Sequence, residues 1–204
     1  MRFFVQWRRI CIVYLSNFYL DIIKDRLYVS KRCDIVRKSA QTTIWVILSV
    51  IVKLLAPILS FTCEEIWEFI PKLDNLESVF LSDIEIGYKI DFDSSLEDYW
   101  CNILNIAGLV KKALEDARAN KIIGSSLEAD VYLKDSLISK DASFLEDLKE
   151  ICMVSRIISS KQEADVNISK SKFDKCQRCW MFDESVGKSS EYPDICERCI
   201  KVLY

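Results

Sequence analysis

Four cysteines late in the chain are the residues best suited to chemistry: Cys176-Gln-Arg-Cys179 and Cys196-Glu-Arg-Cys199, separated by sixteen residues. A Cys-x-x-Cys pair turns its sulfurs toward one point. Two such pairs supply four soft ligands in a tetrahedron, as a closed structural zinc site requires. The separation fits the roughly 15–20 residues typical of that pattern. The intervening loop carries an apolar set (Trp180, Phe182, Val186, Ile195), a turn residue at Gly187 and Pro193 just before the second pair. So small a set cannot form a core alone, so a metal is expected to hold it. One Zn²⁺ in a structural role is therefore expected, because four thiolates leave no open position for water or substrate. An iron–sulfur centre fits the same spacing. Disulfides are disfavoured because no secretory signal pattern opens the chain, and a redox Cys-x-x-Cys usually comes singly in a thioredoxin-like unit.

The other cysteines (Cys11, Cys33, Cys63, Cys101, Cys152) sit mostly among apolar neighbours and are expected to be small buried or half-buried residues. This usage suits a reducing, cytoplasmic location. Of 204 residues, 50% are hydrophobic and only 4 are glycine, which favours helices over a turn-rich β fold. The net charge of −3 hides an asymmetry. Residues 1–40 carry nine Lys/Arg against three Asp/Glu, and residues 61–100 carry two against eleven. Ordinary solvated helix faces are the plain reading of both segments, and for the basic one a binding role is equally open.

Two stretches resemble membrane segments. Residues 1–20 are basic and then apolar, but Asp21 and Lys24 follow without a small-residue cleavage site. Residues 44–61 are apolar, yet Lys53 lies mid-span and Glu64 and Glu65 follow closely. A central Lys is costly in lipid, so a buried helix is expected and no membrane partner.

The elements that must position the cysteines are mainly helical. Apolar residues at 15, 18, 19, 22, 23 and 27 have helical spacing. A second helix is expected from Ser39 to the Ala56-Pro57 region. It is apolar nearly all round and so expected to lie centrally in a bundle. Pro57 is expected to kink or restart it. Thr62-x-x-Glu65 reads as a capping box opening a helix that Pro71 stops. Residues 72–94 read as an acidic connector with at most a short strand. Ser95-x-x-Asp98 is expected to start a helix ending near Asn120. Glu128–Leu133 alternates as a strand, Asp141–Glu150 reads as a helix and Cys152–Ile158 as a second strand. The polar residues 159–175 read as a linker. The expected division is 1–94 helical bundle and acidic connector, 95–160 helix plus α+β junction, 161–171 linker and 172–204 zinc module.

Several blocks resemble bacterial-type isoleucyl-tRNA synthetases. Phe18-Tyr-Leu-Asp-Ile-Ile-Lys-Asp-Arg-Leu-Tyr28, Arg37-Lys-Ser-Ala-Gln-Thr42 and Leu55-Ala-Pro-Ile-Leu-Ser-Phe-Thr-Cys-Glu-Glu-Ile-Trp67 are similar to the anticodon-binding helical domain. Residues 111–133 resemble the junction after it. Lys175-Cys-Gln-Arg-Cys-Trp180 with Cys196-Glu-Arg-Cys199 resembles that family's C-terminal zinc module. The helical and junction blocks recur in valyl and leucyl enzymes, whereas the Arg-Cys-Trp module points to isoleucyl. The resemblance covers roughly residues 15–158 and 172–204.

The resemblance implies a mainly α fold: an anticodon-binding bundle, N-terminally truncated, then a small α+β junction and a four-cysteine zinc module. It implies tRNA(Ile) as partner. ATP-dependent activation belongs to a catalytic domain that this chain lacks, since there is no histidine for the family's His-Ile-Gly-His signature and its methionines (Met1, Met153, Met181) lie in no Lys-Met-Ser-Lys-Ser loop. The chain reads as a C-terminal fragment or one half of a split enzyme, with a separately encoded catalytic N-terminal half as a second partner. The alternatives are a free-standing RNA-binding or assembly protein and a remnant of a broken gene. A related zinc module ends formamidopyrimidine-type DNA glycosylases, but those need a proline at position 2, where this chain has Arg2; no DNA partner is expected. Basic residues would meet phosphates and aromatics would stack on unpaired bases. The candidates are Arg32, Arg37, Lys38, Arg178, Trp180, Lys188 and Arg198. Packing against the knuckle is the favoured expectation for Trp180. The module carries six basic and six acidic residues, so any RNA contact there must be local.

Overall fold

The computed structural model describes residues 2–71, 76–83, 93–139, 141 and 143–204, with side chains from residue 5 onward. Two compact units result: Met1–Val29 with Asp93–Tyr204, and Ser30–Phe92. The expected 1–94 segment is thus divided, because Phe18 and Ile22 pack with the core of residues 103–154.

In the larger unit the chain opens with α1 (Arg2–Arg9), a π-helical stretch (Ile10–Tyr19), α2 (Leu20–Ile22) and α3 (Lys24–Tyr28). The wide turn is visible where the Leu20 amide donates to the Leu15 carbonyl, five residues back. The long helix of this unit, Ser94–Ala119, begins one residue before the expected Ser95. Its N-cap is Asp93, whose carboxylate accepts from the Ser95 amide at 2.9 Å. Asp98 is not the capping partner, because an acceptor already sits at the cap itself. Its buried stripe (Ile103, Ile106, Val110, Leu114, Ala117) keeps helical spacing and packs with Ala129, Val131 and Leu133.

Those last residues lie on β1 (Ala129–Lys134), the central strand of a sheet ordered β2-β1-β3. The parallel strand β2 (Arg156–Ser160) puts Val131 beside Ile157, and the antiparallel strand β3 (Val166–Lys170) puts it beside Ile168. A helix, Phe144–Cys152, makes the crossover from β1 to β2, as a parallel pair requires. It runs past the expected end because Ile151 and Cys152 complete its buried stripe. Met153 ends it in the left-handed conformation, which delays β2 to Arg156 rather than Cys152. Residues 166–170, expected as linker, are a strand instead. Polar residues suit it because an edge strand gains mainly through its backbone ladder, and β1 offers an edge there.

The smaller unit pairs α4 (Ile35–Leu55) with α5 (Ser60–Phe69). Asp34 caps α4 by accepting from the Val36 amide at 3.1 Å. Pro57 falls in the break between the helices, as its missing amide demands. The Thr62/Glu65 capping box is not formed: α5 already starts at Ser60, which places Thr62 inside the helix. Val52, Ala56, Cys63, Trp67, Ile70 and Val79 form the core. Only Ala40 and Val52 of α4 are buried, so the helix packs on one stripe and is not central as expected. It is long and apolar enough to cross a membrane by length and composition. Here its Lys53 ammonium lies 5.9 Å from the centre of the Trp67 ring. Of the acidic connector read over 72–94, with at most a short strand, residues 72–75 and 84–92 lie outside those described, and residues 76–83 hold a 3₁₀ turn at Val79–Leu81.

Candidate metal centre

The first cysteine pair sits on a tight backbone knuckle. Lys175 and Phe182 form an antiparallel bridge, the Cys176 amide donates to the Met181 carbonyl at 2.9 Å, and the Trp180 amide donates to the Cys176 carbonyl at 2.9 Å. Closing so short a loop forces Trp180 into the left-handed region, φ 65°. The second pair uses a helix start. Cys196 is the N-cap of the last helix, Glu197–Leu203, and Cys199 lies one turn inside it. Gly187, φ 86°, supplies the left-handed turn between them, its amide donating to the Pro193 carbonyl.

The four sulfurs converge, all within 4.8 Å of one another. Cys176 Sγ lies 3.8 Å from Cys199 Sγ, and Cys179 Sγ 3.7 Å from Cys196 Sγ. A tetrahedron of thiolates about 2.3 Å from a zinc ion has edges of about 3.8 Å, so the donor set fits Zn²⁺. Cys176, Cys196 and Cys199 are buried and Cys179 half-buried, which leaves no opening for a substrate. Without a cation the thiols ionise unequally. Burial opposes ionisation of Cys176, but the amides of Cys179, Cys196 and Arg178 bring it down to about 6. Burial pushes Cys179 up to about 11 and raises Cys196 as well. A divalent cation at the centre lets all four carry their charge.

The arginines of both knuckles turn inward. Arg178 Nη1 donates to Cys199 Sγ at 3.5 Å and Nη2 to the Val29 carbonyl at 2.9 Å. Arg198 grips Asp25 with both nitrogens, at 2.7 and 2.8 Å. That carboxylate raises the Arg198 pKa. Val29 packs with Cys176, Cys196 and Cys199. Asp25 and Val29 carry no local signal in the sequence, since their partners lie 173 and 149 positions away.

Trp180 behaves otherwise than expected. It is 58% exposed rather than packed on the knuckle, because its left-handed backbone turns the side chain outward. The Lys175 ammonium sits 5.0 Å from its ring centre. Nearby in sequence, Phe173 has two cations within reach of its ring centre, Arg156 at 4.7 Å and Lys172 at 5.4 Å. Aromatic rings beside cations are the chemistry of a stacking surface for unpaired bases. Lys188 is exposed in the loop. Arg32 and Lys38 are exposed and Arg37 half-buried, its Nη1 donating to the Ser30 carbonyl at 3.4 Å. These three belong to the smaller unit.

Comparison with known proteins gives two family matches. Residues 3–133 match the anticodon-binding domain of tRNA ligase, and residues 173–202 match the zinc finger found in FPG and IleRS. Among curated relatives, the isoleucine–tRNA ligase of Syntrophotalea carbinolica is 41% identical over 95% of this chain, and that of Caldicellulosiruptor saccharolyticus 42% identical over 95%. The Haemophilus influenzae ligase is 35% identical over 95%. The chain spans about 22% of the length of each of these relatives.

Proposed function

This chain belongs to the family of anticodon-binding domains of tRNA ligases, and on that premise we propose that it binds the anticodon region of tRNA(Ile) as the tRNA-binding portion of an isoleucine–tRNA ligase. The observation that carries this reading is the sequence of two matched modules in one chain, anticodon-binding domain then zinc finger, the second built on a tetrahedral thiolate set. Cys176, Cys179, Cys196 and Cys199 are the proposed ligands of one structural Zn²⁺. Its chemistry there is to hold two knuckles together, and the reacting groups of aminoacylation lie elsewhere. The chain has no histidine with which to form the family's ATP-handling signature. A catalytic portion, covalently continuous or separate, is the proposed second partner, and the cytoplasm the proposed location.

On the RNA side, the exposed ring of Trp180 stacks on an unpaired base, with Lys175 and Lys188 available to phosphates. In the smaller unit Arg32 and Lys38 present exposed cationic ends, and Arg37 a partly engaged one. Phosphate contacts of this kind fix register, while stacking and base-edge contacts give discrimination.

The test is a titration of the purified chain with tRNA(Ile) and with a tRNA of different anticodon across a range of salt. Salt-dependent binding is expected, log affinity falling by about 0.7 per phosphate contacted on a single-stranded loop. Isoleucine-dependent pyrophosphate exchange by this chain alone is expected to be undetectable. Binding no better than that of an acidic control protein, or measurable isoleucine activation, overturns the proposal.

A further inference from the structure

Both knuckles share the form Cys-x-Arg-Cys, and both arginines are used in the same way. Each reaches from a knuckle that carries two of the four sulfurs to the helix Lys24–Tyr28 or the residue after it. Arg178 bridges Cys199 Sγ and the Val29 carbonyl. Arg198 grips the Asp25 carboxylate through both nitrogens. Its Nη2 also lies 3.7 Å from Met181 Sδ, just after the first knuckle. A third contact is apolar: Val29 packs with Cys176, Cys196 and Cys199.

We infer that Arg178 and Arg198 are positioning residues that clamp the end of this helix onto the metal centre, so that metal binding and the order of residues 24–29 are one coupled equilibrium. The inference rests on the metal reading of the four thiolates. The physical reason is charge held in a fixed place. Zn²⁺ with four thiolates carries a net −2, the Arg178 guanidinium donates to one of its sulfurs, and Arg198 is held in the second knuckle between Cys196 and Cys199 in sequence. Without a cation to hold the two knuckles together, Arg178 loses a fixed anionic partner and Arg198 a fixed backbone to reach from. Filling the site with a divalent cation pins the sulfurs, strengthens both arginine contacts and thereby fixes Asp25 and Val29. Coupling of this kind is reciprocal, so loosening the helix must weaken the metal.

The geometry is selective. Arg198 meets Asp25 through both nitrogens, which a lysine cannot reproduce. Arg178 reaches a backbone carbonyl near a helix C-terminus, where the dipole favours a cation. Helix Lys24–Tyr28 has a further hold, Arg26 pairing with Glu150 through both carboxylate oxygens. That pair touches no sulfur and serves as an internal reference for the experiment.

The experiment uses the full chain loaded with Zn²⁺. Metal affinity is read by competition with a chromophoric chelator for the unaltered protein, Asp25→Asn, Arg178→Gln, Arg198→Gln and the control Lys201→Gln, which removes a charge from the same terminal helix. Losses of about 10–100-fold are expected for Asp25→Asn, Arg178→Gln and Arg198→Gln, the range seen when groups behind a metal ligand are removed. Lys201→Gln is expected to stay within about twofold. In parallel, hydrogen exchange follows the amides of residues 24–29 in the unaltered protein, with zinc and after chelation. Exchange there is expected to accelerate at least about tenfold on chelation, while the amides of 144–152, which carry Glu150, stay protected. Because this second arm needs no variant, it decides the matter even where a variant fails to fold. Unchanged exchange at 24–29 after zinc removal overturns the inference, as does Asp25→Asn with unaltered affinity. Absence of bound zinc in the purified protein refutes the metal reading itself. Loss of tRNA binding in Arg178→Gln and Arg198→Gln at unchanged zinc affinity shows that these arginines serve RNA instead.

Discussion

The Phe182 amide donates to Ser155 Oγ at 2.8 Å, and the same hydroxyl donates to the Leu127 carbonyl at 2.6 Å. One buried serine thereby ties the first cysteine knuckle to the end of the long helix's connection and to the approach to β2. The cysteine module is docked on the approach to β2 through this hydroxyl and on the helix Lys24–Tyr28 and Val29 through its arginines.

Ser155→Ala removes the acceptor for one group and the donor to another. A cost of about 1–3 kcal/mol is expected, the penalty for leaving a buried polar group unmatched. Denaturant unfolding checks the magnitude, and faster exchange of the Phe182 amide checks the place. A change below a few tenths of a kcal/mol shows that water substitutes for the hydroxyl.

Metal removal is expected to unfold residues 172–204 and to spare the helices of residues 94–119 and 35–55. Structural zinc contributes on the order of 10–16 kcal/mol in small thiolate modules, which is as large as a domain's whole stability. Metal analysis should find one zinc per chain. Far-ultraviolet circular dichroism after chelation should retain most of its helical signal, and loss of all of it contradicts a local role.

Cys152 gives a pH dependence with a definite sign. Burial pushes its thiol from 9.0 up to about 12. The unfolded chain therefore releases this proton between pH 9 and 12, while the folded chain keeps it. Stability from this group is fully present below pH 9 and falls as pH rises through that window, by about 1.4 kcal/mol per pH unit. Cys152→Ala should flatten this part of the profile measured by urea unfolding. In alkylation at about pH 8, just below the ordinary thiol pKa, the exposed Cys33 and Cys101 should react while Cys152 reacts only on unfolding.

Trp180→Ala should separate binding from stability. The ring is 58% exposed and its cation neighbour is a surface lysine, so unfolding should shift by less than about 0.5 kcal/mol. If the ring stacks on a base, tRNA affinity should fall by about 1–3 kcal/mol. Fluorescence titration of the variant against the unaltered chain measures the binding, and urea unfolding the stability. Equal affinities remove Trp180 from the interface.

Local spacing by itself determined the elements whose geometry is local. Two Cys-x-x-Cys pairs converge because a knuckle and a helix start each aim two sulfurs inward, whatever surrounds them. The stripe on residues 94–119 and the alternation over Ala129, Val131 and Leu133 were legible for the same reason: the helical and strand periods are properties of the backbone. Tertiary structure alone decided what depends on a distant partner. Residues 166–170 became a strand because β1 exposed an edge, which their polar composition does not record. Trp180 turned outward because the knuckle required a left-handed residue at its position. Arg178 and Arg198 were legible as cations, but whether a guanidinium meets phosphate, sulfur or carboxylate depends on what lies within about 3 or 4 Å. Asp25 is one of many carboxylates with equal claim in sequence, and only the fold brings it to Arg198.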